Sequence, residues 1–126
     1  MTKDDGIPVF LQVLLDSLEL HNNDGIIRLC TEKSIFVVED SNGIRLSEGA
    51  VGIVAGLDEA RDLLGETPQR VSTGKIDDDY WTCTHSSLRK LPFLIEVRSS
   101  ILIYNGLIAE VRQNICNVST NISGTA

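Results

Sequence analysis

Tyr104-Asn105-Gly106-Leu107 is the stretch that most restricts what this chain can become. A two-residue hairpin needs positive φ at both central positions, and Asn-Gly supplies them at the least cost. On either side lie long β-branched and aromatic runs with a period of two, Phe93 to Tyr104 and Leu107 to Cys116. Arg70 to Ile76 and Tyr80 to His85 have the same character, set apart by Asp77-Asp78-Asp79 and by the segment from Ser86 to Pro92. Four strands joined by short connections read as an antiparallel meander, which excludes a βαβ nucleotide-binding fold.

The first half of the chain runs on a different period. Ile7, Leu11, Leu14 and Leu18 share one helical face with Phe10 and Leu15 beside them, and Gln12, Asp16 and Glu19 form a polar stripe. Pro8 is tolerated because the first turn has no intrahelical partner for a missing N–H. His21 favours the negative end of this helix, and Asn22-Asn23-Asp24 opens a second one, about Asp24 to Thr31. Ser34 to Asp40 then alternates as a strand, with Phe36, Val38 and Asp40 on one side and Ile35, Val37 and Glu39 on the other. Ser41-Asn42-Gly43 turns the chain. Ile44 to Val54 is Gly-interrupted and β-leaning, without a pattern that settles its structure. Gly56 to Gly65 reads as a compact third helix, acidic in its first turn and closed by glycine. The class is α+β, with three N-terminal helices packed on one face of a strongly curved antiparallel sheet.

At 126 residues the chain fits one domain, residues 1–116, followed by a polar tail, 117–126, read as flexible. Asn117-Val-Ser and Asn121-Ile-Ser in that tail match the glycosylation pattern by chance composition. A net charge of -7 with no basic stripe argues against a nucleic-acid partner. No apolar run is long enough to cross a bilayer and no signal peptide is visible, so a cytoplasmic protein without a membrane partner is expected. Cys30, Cys83 and Cys116 are widely spaced and odd in number, which reads as reduced core thiols rather than a disulfide frame or a zinc site. No cofactor and no metal is implied.

Asp24-Gly25-Ile26-Ile27, Val38-Glu39-Asp40 with the turn glycine Gly43, Gly56-Leu57-Asp58-Glu59-Ala60 and Tyr104-Asn105-Gly106 together resemble the cone-shaped family of nuclear transport factors, ketosteroid isomerases, scytalone dehydratase and the SnoaL-like polyketide cyclases. The likeness covers roughly residues 7 to 116. It implies a cone enclosing an apolar pocket between the helices and the concave sheet face. It places Asp40 where the isomerase general base lies. The isomerase's first-helix tyrosine falls near Leu14 and its sheet-borne aspartate near Ser100, so the oxyanion pair is not carried over. Matching the final hairpin puts Ser100, Leu102 and Tyr104 toward the pocket, and alternation adds Arg98 and Glu96.

These residues give two readings of different class. In the first, a small apolar molecule lies against Leu14, Phe36, Val38, Trp81, Glu96, Leu102 and Tyr104. Asp40 then serves as general base in an isomerisation, cyclisation or dehydration, and Arg98 or Ser100 steadies negative charge. Glu96-Val97-Arg98 also resembles, in reversed order, the acid–arginine–acid set of limonene epoxide hydrolase-like relatives. In the second reading the same fold is a non-catalytic ligand-binding or homodimeric assembly domain. There Asp40 accepts backbone N–H bonds from its own turn, Arg98 and Glu96 pair on a sheet face, and Trp81 is packing. His85 reads as a surface or interface residue. Ile95, Val97, Ile101 and Ile103, taken as outward-facing, imply a homodimer through the outer sheet face.

Overall fold

The computed structural model describes residues 6–87 and 93–119. Two helices come first, α1 (Val9–Leu20) and α2 (Asp24–Leu29), then a hairpin of β1 (Ile35–Asp40) and β2 (Gly43–Glu48). A long helix, α3 (Gly49–Leu64), leads to β3 (Gln69–Asp77), β4 (Tyr80–Ser86), β5 (Phe93–Tyr104) and β6 (Leu107–Ser119). The strands form one six-stranded sheet in the order β2-β1-β6-β5-β4-β3. The α+β class and the helices packed on the sheet are as the sequence indicates. The sheet itself is mixed, because β1 lies parallel to β6 with Phe36 opposite Val111 and Val38 opposite Gln113.

Asn105 and Gly106 have φ of 54° and 77°, the pair of left-handed conformations that a two-residue hairpin demands. Tyr104 and Leu107 face each other across that turn. One step further, Ile103 pairs with Ile108 while Leu102 pairs with Glu110, so Ala109 is a bulge. The bulge lets Ile108 and Val111 both turn inward, where a strict alternation would send one of them out.

Segment 44–54, which the sequence left open, divides between β2 and the first turns of α3. Its glycines discourage a helical reading by propensity, yet they are placed for close approach. A Cβ on Gly52 would come within 2.7 Å of the Ser47 Cβ, and one on Gly56 would lie inside the Phe36 ring. Here α3 rests directly on the β1–β2 hairpin. Its 16 residues give a rod about 24 Å long, matching the roughly 24 Å width of six strands. The helix accordingly carries the chain from the β2 edge to β3 at the opposite edge, touching β1, β2 and β5 on the way.

Leu11, Leu14, Leu15 and Leu18 of α1, Ile26 of α2 and Ile53, Leu57, Ala60 and Leu64 of α3 meet Phe36, Val38, Cys83, Val97, Ile101, Ile103, Ile108 and Val111 in one buried cluster. Ile95 packs against it as well. The inward face of β5 is therefore the apolar one, and the face assignment made from the hairpin match is reversed. Leu102 and Tyr104 are exposed, and Glu96, Arg98 and Ser100 share their outer side. The physical reason is composition, since only the greasier side of β5 can lie beneath leucine-rich helices. The correction also removes the premise of the dimer expectation. The outer face carries ion pairs, Arg98 with Glu96 at 2.8 Å and Arg112 with Glu110 at 3.0 Å, where exposed isoleucines had been placed.

β6 continues to Ser119, with Asn117 opposite Ile95, three residues past the expected end of the domain. The rest of the proposed tail, including Asn121, lies outside the described residues, as do Met1 to Asp5. No helix among the described residues is long and apolar enough to cross a membrane.

The Gly56 contact sets a testable balance. Alanine should gain about 1 kcal/mol in helix propensity but lose about 1–3 kcal/mol by overpacking against a ring that the core holds in place. Gly56→Ala should therefore lower the denaturant midpoint, and Phe36→Leu in the same chain should recover part of the loss. No recovery on adding Phe36→Leu to Gly56→Ala would show that α3 does not ride on Phe36.

Candidate functional site

Leu18 closes the apolar stripe of α1, so the next residue, Glu19, falls at the rim of the helix where it faces β3 and β4. In register there, Arg70 of β3 lies opposite His85 of β4. Arg70 donates through Nε and Nη2 to the two Glu19 oxygens at 2.7 and 2.6 Å, a bidentate fork. The Nε2 of His85 sits 2.7 Å from Glu19 Oε2. His85 is completely buried, which corrects its reading as a surface or interface residue.

Burial alone would raise the Glu19 carboxyl. The hydrogen bonds from Arg70 and His85, with their charges, outweigh it and hold the group below its ordinary value of 4.5. An ionised carboxylate has no proton to give, so the hydrogen between the two residues belongs to His85 Nε2. The other ring nitrogen, Nδ1, faces away from Glu19. That atom is buried without a hydrogen-bond partner.

A second polar row crosses the same inner face one step along. Cys83, Ser99 and Gln113 stand opposite one another on β4, β5 and β6. Gln113 Nε2 donates to Ser99 Oγ at 3.0 Å, and its Oε1 is buried and unpartnered. The Cys83 thiol is pushed up to about 12, first by burial and then by the Glu19 charge, so it is no nucleophile at neutral pH. All three cysteines are free thiols, with Cys83 buried and Cys30 and Cys116 half-buried.

Open volume next to these groups lies at the far ends of α1 and α3. A cleft of about 430 Å³ is lined by Leu18, Glu19, Leu20, His21, Arg61, Gly65, Glu66 and Pro68. His21 ends α1 in the left-handed conformation, φ 59°, with its N–H on the Asp16 carbonyl. Arg61 Nη2 lies 2.8 Å from His21 Nε2; a guanidinium can only donate, so the ring accepts.

Asp40 stands apart from this constellation. Its Oδ1 accepts the Asn42 N–H at 2.8 Å and its Oδ2 accepts Arg45 Nη2 at 3.0 Å, the turn-capping arrangement. Leu14, Phe36 and Val38 are core residues. Trp81 packs partly against that core, with its indole N–H toward the Asp78 carbonyl at 3.4 Å. Glu96, Arg98, Ser100, Leu102 and Tyr104 lie on the other side of the sheet, so the predicted set is not brought together. Arg98 and Ser100 do border, with Thr82, Thr84, Arg112 and Asn114, a shallow outer groove of about 330 Å³. Among the described residues no cluster of His, Cys, Asp and Glu is arranged to hold a metal.

Sequence reasoning passed over Glu19, Arg61, Arg70 and Gln113. The signal for Gln113 was present: like His85 and Ser99, it is a polar residue embedded in a strand face that is otherwise apolar.

No protein-family model matches this chain, and no curated protein matches it either. Solved structures do. An NTF2-like protein from Anabaena variabilis matches with a TM-score of 0.66 at 12% identity, over 87% of this chain and 86% of that one. A protein proposed to be a polyketide cyclase, from Sinorhizobium meliloti, matches with a TM-score of 0.63 at 18% identity, over 89% and 99%. A protein with a ketosteroid isomerase-like fold from Catenulispora acidiphila, in complex with trimethylamine, gives 0.59 at 11% identity, over 84% of each chain. At such identities the likeness is one of fold, and the fold is the α+β cone that the sequence resembles.

Glu19 makes stability depend on acid. Its lowered carboxyl contributes stability that is present above the unfolded value of 4.5 and is lost as pH falls through the folded value. Glu19→Gln should cost about 1–3 kcal/mol at pH 7 and should flatten the decline of stability below pH 4.5, read by urea melts across pH. A parallel decline in parent and variant would mean that other carboxyls carry the acid sensitivity. Separately, Cys83 should resist a disulfide reagent at pH 8 in the folded protein and react only on unfolding, as mass spectrometry of the labelled peptides would read.

Proposed function

We propose that this chain is a small-molecule-binding domain that takes its ligand in the cleft between the ends of α1 and α3. The observation that carries this reading is the meeting of ionised and polar groups with open volume there, at Glu19, His21 and Arg61, while buried side chains fill the centre of the concave face. Pockets built for ligands combine a shaped hollow with a few oriented polar groups. The Arg70–Glu19–His85 network fixes one wall in the orientation such recognition needs. A small molecule bound to a protein of the same fold, trimethylamine, agrees with the class of ligand.

A second reading, an acid–base enzyme of isomerase, cyclase or dehydratase type, is favoured by one feature, the unpartnered Nδ1 of His85 backed by Glu19. In this form the proton-transferring group is His85. Asp40, the base suggested by family likeness, already has both oxygens engaged by its turn and by Arg45.

A fragment screen read by thermal shift tests the placement. A ligand at 100 times its Kd should add about 2.7 kcal/mol to stability. Hits should move the amide signals of Leu20, His21 and Gly65 and should bind Asp40→Asn as they bind the parent. Hits that instead move residues 40–45, and are lost in Asp40→Asn, would return the site to the β1–β2 turn.

A further inference from the structure

Four arginines of the described structure hold a carboxylate at close range: Arg45 on Asp40 at 3.0 Å, Arg70 on Glu19 at 2.6 Å, Arg98 on Glu96 at 2.8 Å and Arg112 on Glu110 at 3.0 Å. Arg61 does not. Its nearest carboxylate oxygens are Asp58 Oδ1 at 3.4 Å and Asp62 Oδ1 at 3.8 Å, and the Asp58 oxygen is shared with the Asn23 side-chain amide. Its shortest contact is to a neutral acceptor, His21 Nε2. Its Nε–H is buried and has no partner. Yet Arg61 is the least exposed of the five, at 18%. A guanidinium taken this far from water, with its carboxylate partners at 3.4 and 3.8 Å and its Nε–H unmatched, still has a donor to offer, and this one lines the cleft.

The rest of the cleft has the opposite character. Glu66 is exposed there, and both helices turn their carbonyl ends toward it. Glu19 is ionised, with three of its roughly four acceptor positions taken by Arg70 and His85. A simple anion drawn to Arg61 would be repelled by these groups, and a simple cation would leave Arg61 as it is. A molecule with both charges answers both walls. Resting on the placement of the ligand in this cleft, we propose that the cleft binds a small zwitterion of the amino-acid type, its carboxylate on Arg61 and its ammonium group toward Glu66 and the helix carbonyl ends.

β-Alanine serves as the probe, with propionate and propylamine as its two halves, titrated into the full chain and followed by amide NMR shifts. β-Alanine should move the His21, Arg61, Gly65 and Glu66 signals saturably, and each half should bind at least about tenfold more weakly. Arg61→Gln should abolish the effect. Arg61→Lys keeps the charge and loses the fork, so it should weaken binding measurably while retaining the parent near-UV circular dichroism, which covers the case that Arg61→Gln fails to fold. Propylamine binding as well as β-alanine, unchanged in Arg61→Lys, would overturn the zwitterion and leave the cleft as a cation site. No response to any of the three probes would also overturn it; screen hits in the same cleft would then preserve the broader reading, and their absence would remove both.

Discussion

The close approach of α3 to β1, with Gly56 seated on the Phe36 ring, is the contact on which the remaining architecture depends. A helix laid on a sheet at ordinary side-chain separation would stand off the hairpin and leave the leucines of α1 with no opposing wall. Because residue 56 has no side chain, α3 settles low on β1, and the chain passes from β2 at one edge to β3 at the other. Ile53, Leu57, Ala60 and Leu64 then reach the same core as Leu11, Leu14 and Leu18. The inner face is filled over its centre by this arrangement, and the cleft beside Glu19 and Arg61 opens where the two helices end. The position of the cleft is thus a consequence of how the third helix is seated.

Charge is arranged around that opening in two unlike ways. On the α1 side, Glu19 is over-determined, with a fork from Arg70 and a third bond from His85. Such a group is held in one orientation and one ionisation state. On the α3 side, Arg61 is loosely matched, sharing Asp58 with Asn23 and leaning on an imidazole. A rigid anion facing a poorly satisfied cation is a polarised wall, and polarised walls favour ligands that carry their own dipole. The buried, unpartnered Nδ1 of His85 and Oε1 of Gln113 lie deeper, on the same face, in a setting where unmet hydrogen bonds are costly.

The sequence was most informative where local chemistry and long-range packing agree. The Asn105-Gly106 hairpin, the span of β5 and the inward stripe of α1 follow from turn preference and periodicity, and tertiary structure left them untouched. It misled where a local rule was overridden. The glycines of 44–56 look like helix breakers until Phe36 and Ser47 are placed beneath them. The face of β5 was chosen from a family match at the hairpin. The better guide was the run Val97, Ile101 and Ile103, which no sheet leaves in water when leucine-rich helices need a partner. The Glu19–Arg70–His85 network joins residues up to 66 positions apart, and no local pattern announces such a meeting.

The strand order has a bearing on how the domain comes into being. β6, the last strand among the described residues, sits third in the sheet and is the piece that joins the β1–β2 hairpin to the β3–β4–β5 meander. Until residues 107–119 are available, β1 and β5 have no shared neighbour and Val111 is missing from the core. Without β6, therefore, the earlier elements are two separate half-sheets, each with an unpaired edge strand where β6 belongs. One strand, contributed from residues 107–119, thus closes two long-range seams at once, parallel on one side and antiparallel on the other.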